Sequence, residues 1–163
     1  DLIGAFASAV FSRASLRLIP GRPDVGRLGC GWAQAMSIDY SMPVLVVDDY
    51  KTVVRILHHL LRQAGFTNVD EATDGEEALN KMKERKYGLV ISDWHMAPVN
   101  GIELLAKARA DEELKGTPFS LVSAEAAPEN VAAARNAGAA AYVVKPFDSQ
   151  TLKARIETAL RAA

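Results

Sequence analysis

The residues able to do chemistry gather at the ends of four short apolar runs. Val44-Leu45-Val46-Val47 ends in Asp48-Asp49, and Leu89-Val90-Ile91-Ser92 ends in Asp93. Phe119–Val122 is followed by Ser123, and Ala141–Val144 by Lys145. If these runs are neighbouring parallel strands, their polar ends share one rim, at the carboxyl edge where open α/β sheets bind ligands. Three crowded carboxylates repel one another unless a cation neutralises them. Mg2+ is the natural choice, because it takes one or two carboxylates and completes its shell with phosphate oxygens and water. Screened in this way, Asp93 can attack a phosphoryl group and form an aspartyl phosphate. Lys145 then offers a point charge, and Ser123 a hydroxyl, to the oxygens in transfer.

Each residue has a plainer reading when taken alone. Asp48-Asp49 could cap a helix and face its dipole. Ser123 could be a turn residue, and Lys145 a solvated charge. It is their joint occurrence at four strand ends that favours a site. The Lys145-Pro146 bond belongs to the class that can be cis.

Positioning such a rim requires regular elements, and from Pro43 onward the pattern supplies them. Strands are expected at Val44–Val47, Val69–Ala72, Leu89–Ser92, Phe119–Val122 and Ala141–Val144. The first helix, Tyr50–Ala64, carries Val53, Val54, Ile56, Leu57, Leu60, Leu61 and Ala64 at helical spacing, and Gly65 closes it. Thr73 or Asp74 caps a helix over Gly75–Arg85, with Ala78, Leu79 and Met82 inward. A third helix runs over Gly101–Ala110 with Ile102, Leu105 and Ala106 inward. A fourth spans Pro128–Ala137, between a Pro at its first turn and Gly138. Asp148 or Ser149 caps the last helix, which carries Leu152, Ile156 and Leu160. His58 and His59 are consecutive on the first helix, cannot share a face, and belong at its solvent boundary. Five strands alternating with five helices predict a parallel sheet covered on both faces, joined by right-handed crossovers.

Composition sets wider bounds. At 163 residues, with 49% hydrophobic and 24% charged residues, the chain suits one soluble domain and some extra length. A net charge of −1 gives no general attraction to nucleic acid or anionic membrane. The single cysteine, Cys30, excludes an internal disulfide and points to a reducing compartment. Residues 1–35 differ from the rest: four Arg against two Asp, an Ala-rich apolar start, then a Pro- and Gly-rich stretch. We read residues 1–41 as a poorly ordered N-terminal extension, non-native or upstream of the true start, with Met36 and Met42 as later start-competent positions. The domain proper is then 42–163.

Asp48-Asp49, Asp93 after its strand, Ser123-Ala124 and Lys145-Pro146-Phe147 together resemble the receiver domain of bacterial two-component response regulators. The resemblance covers about residues 43–161 and is nearest to the chemotaxis branch of that family. It implies a flavodoxin-like (βα)5 three-layer sandwich with strand order 2-1-3-4-5. It implies that Asp93 accepts a phosphoryl group from a phosphohistidine of a sensor histidine kinase. Asp49, Asp93 and the backbone carbonyl of His95 would ligate Mg2+, with Asp48 acting through water, while Ser123 and Lys145 hold the phosphoryl oxygens. Tyr142 would be an aromatic switch that turns inward as Ser123 moves. That would change a partner face built from helix four, strand five and helix five, with Ala126, Val131, Tyr142 and Val144 suited to apolar docking. A stand-alone cytoplasmic switch follows, a phosphoacceptor rather than an enzyme, acting on a downstream target protein such as a flagellar motor switch.

Two departures from the family pattern stand out. Ala97 takes the usual proline's place with Pro98 after it, and Ala127-Pro128 replaces basic residues common in flagellar-motor binders. Within the class, a phosphorelay shuttle or a kinase regulator competes with motor control. Outside it, a phosphatase of the haloacid dehalogenase type would place its two acids two apart, whereas Asp48 and Asp49 are adjacent. A flavodoxin-like cofactor binder would want neutral donors after the first strand, where two acids now repel an anion. DNA binding has no helix-turn-helix to rest on.

Overall fold

Valine, leucine and isoleucine fill the central strands without alternation, as a sheet buried on both faces requires. The structure, a computed structural model, describes residues 38–162. Its five strands are β1 (Val44–Val47), β2 (Val69–Ala72), β3 (Leu89–Asp93), β4 (Phe119–Ser123) and β5 (Ala141–Val144). They form one parallel sheet in the order β2-β1-β3-β4-β5. The helices are α1 (Lys51–Ala64), α2 (Gly75–Glu84), α3 (Gly101–Ala110), α4 (Pro128–Asn136) and α5 (Ser149–Ala162).

Each sheet face has its own core. On one side Val54, Leu57 and Leu61 of α1 and Leu152 and Ile156 of α5 cover Val44, Val46, Ile91 and Val122. On the other, α2, α3 and α4 supply Ala78, Met82, Leu104, Leu105, Ala108 and Ala134 over Leu45, Val47, Val90 and Leu121. This is the flavodoxin-like (βα)5 sandwich expected.

Local signals set the helix ends. Asp74 Oδ1 accepts the Glu77 N–H at 2.7 Å at the start of α2. Asn100 and Glu103 form a reciprocal capping box on α3. Asp148 Oδ1 accepts the Thr151 N–H at 2.7 Å on α5. Gly65, at φ 109°, ends α1 in the left-handed conformation that glycine adopts freely.

Several expectations are corrected. Tyr50 is the N-cap of α1, not its first turn, and neither Asp48 nor Asp49 caps that helix. The helices α2 and α4 each stop one residue short of the expected end, at Glu84 and Asn136. Ile56 is 52% exposed, and Ala106 is also exposed, while Leu104 and Ala108 are buried. The inward stripe of α3 is therefore rotated from the expected one, since Leu104, Leu105 and Ala108 share the face that packs on the sheet. The domain boundary also moves. Tyr40, placed in the extension, packs on Phe66 with ring centroids 5.0 Å apart and donates its hydroxyl to Glu157 Oε1 at 2.6 Å. Of the expected extension over residues 1–41, residues 1–37 lie outside the described residues.

Candidate functional site

β3 and β4 each run one residue further than their apolar content indicates, and both added residues belong to the site. Asp93 pairs with Val122 in the sheet register. Ser123 pairs with Val144, and the Lys145 N–H donates to the Ser123 carbonyl at 2.8 Å. The ladder thus carries Asp93, Ser123 and Lys145 to one edge on rigid backbone. Asp48 joins them because its N–H donates to the Ala72 carbonyl at 3.2 Å, continuing the β1–β2 pairing.

One oxygen from each of Asp48, Asp49 and Asp93 lies within 4.8 Å of the others. Asp48 is fully buried, Asp93 nearly so, and Asp49 is exposed. Lys145 Nζ donates to Asp93 Oδ1 at 2.8 Å and stands 3.6 Å from Asp48 Oδ2. Asp48 Oδ1 accepts the Tyr50 N–H at 2.9 Å, but buried Oδ2 has no hydrogen-bond partner.

Burial raises the pKa of the Asp48 carboxyl. The Tyr50 N–H opposes that shift, the negative charges of Asp93 and Asp49 add to it, and Lys145 acts against them. Burial alone would lower the pKa of Lys145, yet its bonds and proximity to Asp93 and Asp48 prevail and raise it. Three carboxylates against one ammonium, with an orphaned buried oxygen among them, leave an excess of negative charge that suits a hard, oxygen-seeking cation.

The loop after Asp93 is held close to the site. Met96 and Val99 are buried, while Ala97 and Pro98 are exposed, so the chain is anchored on both sides of the Ala97 departure. The Trp94 N–H donates to the Val122 carbonyl at 2.8 Å, and the Trp94 carbonyl accepts the Gly101 N–H at 2.9 Å. A Cβ on Gly101 would lie 2.3 Å from the Asp93 carbonyl oxygen, so only glycine lets α3 start this close to the acid. Both the Ala97–Pro98 and Lys145–Pro146 bonds are cis.

Ser123 is buried, and its Oγ accepts the Glu125 N–H at 3.1 Å, which leaves its own proton free to donate. Tyr142 is half-buried. Its hydroxyl donates to the Glu125 carbonyl at 2.6 Å, and its ring meets Trp94 edge-on, centroids 6.0 Å apart. Val131, Tyr142 and Val144 line a groove of about 310 Å3 with Arg135 and Arg155 at its sides. Ala126 is exposed but does not line it.

His95 is exposed. His58 Nδ1 lies 2.7 Å from Glu71 Oε1, and His59 is exposed beside Gln63, so both sit at the solvent boundary of α1 as expected. Glu125 is not among the site residues expected from the sequence, where its signal is its place two residues beyond Ser123 in the Ser123-Ala124-Glu125-Ala126 stretch.

Comparison with known proteins agrees with this geometry. The family described as response regulator receiver domain matches residues 44–157. The chain is 43% identical over 120 residues to the chemotaxis protein CheY-3 of Vibrio cholerae, spanning 74% of this chain and 92% of that protein. It is 46% identical over 116 residues to the chemotaxis protein CheY of Pseudomonas aeruginosa, spanning 71% and 94%. Among solved structures it resembles the chemotaxis response regulator CheY4 of Vibrio cholerae, with TM-score 0.68 and 32% identity over 73% of this chain and 98% of that one. A CheY-like receiver domain protein of Methanospirillum hungatei gives TM-score 0.66 at 29% identity, over 75% and 95%.

Proposed function

The chain belongs to the response regulator receiver domain family, and from that premise we propose that it is a phosphorylation switch with Asp93 as acceptor. The observation that carries this reading is the convergence on Asp93 of two further carboxylates and the Lys145 ammonium, on the ends of neighbouring strands. Asp49, Asp93 and the His95 carbonyl would hold Mg2+, with Asp48 acting through a bound water. When bound, that ion neutralises the excess carboxylate charge and polarises the phosphoryl oxygens.

The chain's own residues do the rest. An Asp93 carboxylate oxygen attacks the phosphorus of a phosphohistidine on a sensor kinase. The new O–P bond forms as the P–N bond breaks, and the leaving imidazole keeps the electron pair and takes a proton from solvent. Lys145, already on Asp93 Oδ1, stays protonated and turns an ammonium N–H bond to a phosphoryl oxygen, and Ser123 donates its hydroxyl to another. The acceptor is consumed once per transfer, so the protein is a phosphoacceptor and not a turnover enzyme.

The output is a change of shape. As Ser123 engages the phosphoryl group, Tyr142 and the α4–β5–α5 groove take up a second arrangement that a downstream protein reads. Two relatives carry chemotaxis names, which supports a chemotaxis target, a flagellar motor switch among the candidates. No helix of the described residues is long and apolar enough to cross a membrane, consistent with a cytoplasmic partnership with the kinase. Incubation with Mg2+ and a small phosphodonor tests the reading: intact mass should rise by one phosphoryl group in the wild type and not in Asp93→Asn. Equal labelling of both proteins would overturn it.

A further inference from the structure

The segment from Trp94 to Gly101 leads from the acceptor to α3 with little backbone support. Trp94 and Gly101 are bonded at its two ends, but among the described residues His95 to Val99 make no backbone hydrogen bond. Two buried side chains, Met96 and Val99, hold the loop instead.

Val99 presses on the N-terminus of α2. A Cβ on Gly75 would lie 2.8 Å from Val99 Cβ, 2.9 Å from its Cγ1 and 3.3 Å from its carbonyl oxygen. Carbon atoms pack at about 3.5–4.0 Å, so the loop comes closer to α2 than any side chain at position 75 would allow. Gly75 is the buried first residue of α2, where alanine is the better helix former. What the position requires is therefore the missing side chain.

The corner that Val99 meets is fixed. The Thr73 N–H and hydroxyl both donate to Glu77 Oε2 at 2.8 Å, and Asp74 Oδ1 accepts the Glu77 N–H. One residue before Thr73, the Ala72 carbonyl accepts the Asp48 N–H, so the same β2–α2 corner also carries a carboxylate of the site. Asp48 lies on one side of the acidic cluster and the loop after Asp93 on the other. Their spacing is gauged where Val99 seats on Gly75.

We propose that Gly75 and Val99 are positioning residues for the metal: their contact sets where the His95 carbonyl stands relative to the carboxylates, and so sets the affinity for Mg2+. The proposal rests on the reading of that carbonyl as a metal ligand. Mg2+ holds its ligands in near-ideal octahedral geometry at about 2.0–2.1 Å, so it tolerates little displacement of any one of them. A Cβ on residue 75 would require Val99 to retreat by roughly 1 Å. Trp94 and Gly101 are pinned by hydrogen bonds, so the retreat falls on the residues between them, His95 included. Neither Gly75 nor Val99 touches the ion; both act through the loop.

Calorimetric titration of the full chain with Mg2+ tests this, with urea unfolding of each protein measured alongside. Gly75→Ala should weaken binding about tenfold, an effect typical of groups that orient metal ligands. Val99→Gly adds no atom and should weaken it about threefold or more, because the loop loses its seat. In the double variant the new Cβ no longer meets Cβ or Cγ1 of Val99, so Gly75→Ala should then cost less than about twofold. Ile156→Val loosens the core on the opposite face of the sheet and should leave the affinity within about twofold of wild type, which separates positioning from lost stability. Wild-type affinity in either single variant, or an undiminished penalty of Gly75→Ala in the Val99→Gly background, would overturn the role of the contact and leave the metal site standing. A wild type that does not bind Mg2+ would overturn both.

Discussion

Replacing Asp48 with Asn should stabilise the metal-free protein, the reverse of what most changes at a buried polar residue do. Asp48 is fully buried with one unpartnered oxygen, and its oxygens share a 4.8 Å cluster with those of Asp49 and Asp93. At an effective dielectric near 20, each carboxylate neighbour at that distance repels by about 3.5 kcal/mol, while Lys145 at 3.6 Å returns about 4.6 kcal/mol. The charge on Asp48 is thus left with a net penalty of about 2 kcal/mol, before desolvation is added. Asn keeps the shape and an acceptor for the Tyr50 N–H, and removes the charge. Thermal unfolding in chelator should then show Tm higher by roughly 6 °C in Asp48→Asn.

The same substitution should weaken Mg2+ binding, so that added Mg2+ raises Tm less than in wild type. The pH dependence follows from the direction of the shift. A carboxyl whose pKa is raised on folding destabilises the folded state above that pKa and ceases to do so as pH falls through it. The gap between the two proteins in chelator should therefore narrow on acidification. An Asp48→Asn protein that melts below wild type in chelator at neutral pH would refute the uncompensated-charge account.

Three further changes test the supports of the site. Gly101→Ala would set a Cβ 2.3 Å from the Asp93 carbonyl and 2.9 Å from Leu121 Cδ2, so it should destabilise by about 2 kcal/mol or more. Urea unfolding checks that figure, and a neutral result would mean the α3 start is not tight. Ser120 Oγ is buried without a partner, so Ser120→Ala should be neutral or raise the urea midpoint. Glu77 has its pKa lowered to about 2, chiefly by the Thr73 N–H and then by Lys81. Its contribution is present above its unfolded value of 4.5 and is lost as pH falls toward 2, so Glu77→Gln should flatten that part of an acid-stability profile. After allowance for its solvent contact, the loss at pH 7 should be about 1 kcal/mol.

Much of the fold is legible in the chain because local and tertiary preferences agree. The strand cores are unbroken runs of branched apolar residues, and Gly65, Asp74 and Asp148 mark helix ends where the structure puts them. The features that differ from the sequence pattern depend on contacts distant in sequence. β3 and β4 extend through Asp93 and Ser123 because neighbouring strands pair with those residues, which side-chain hydropathy does not reveal. Tyr40 joins the domain through Phe66 and Glu157, the latter 117 positions away. Ile56 fits the apolar spacing of α1, yet it falls on the arc facing solvent.

The site was legible for the opposite reason. The proposed chemistry needs specific side chains at strand ends, so Asp48, Asp49, Asp93, Ser123 and Lys145, which the structure gathers at one sheet edge, can be picked out by type and position. Glu125 escaped because three of its contacts use its backbone or a short-range amide, and a lone exposed acid in a loop looks like solvation.

The central claim, metal-assisted phosphoryl acceptance at Asp93, is tested most directly by the fluorescence of Trp94, which follows Asp93 in the chain and meets Tyr142 edge-on. With Trp32→Phe in the background, Mg2+ and then beryllium fluoride should each change the emission, and the second change should vanish in Asp93→Ala. A mimic response that persists without the Asp93 carboxylate, or calorimetry showing that neither ligand binds the wild type, would contradict the account.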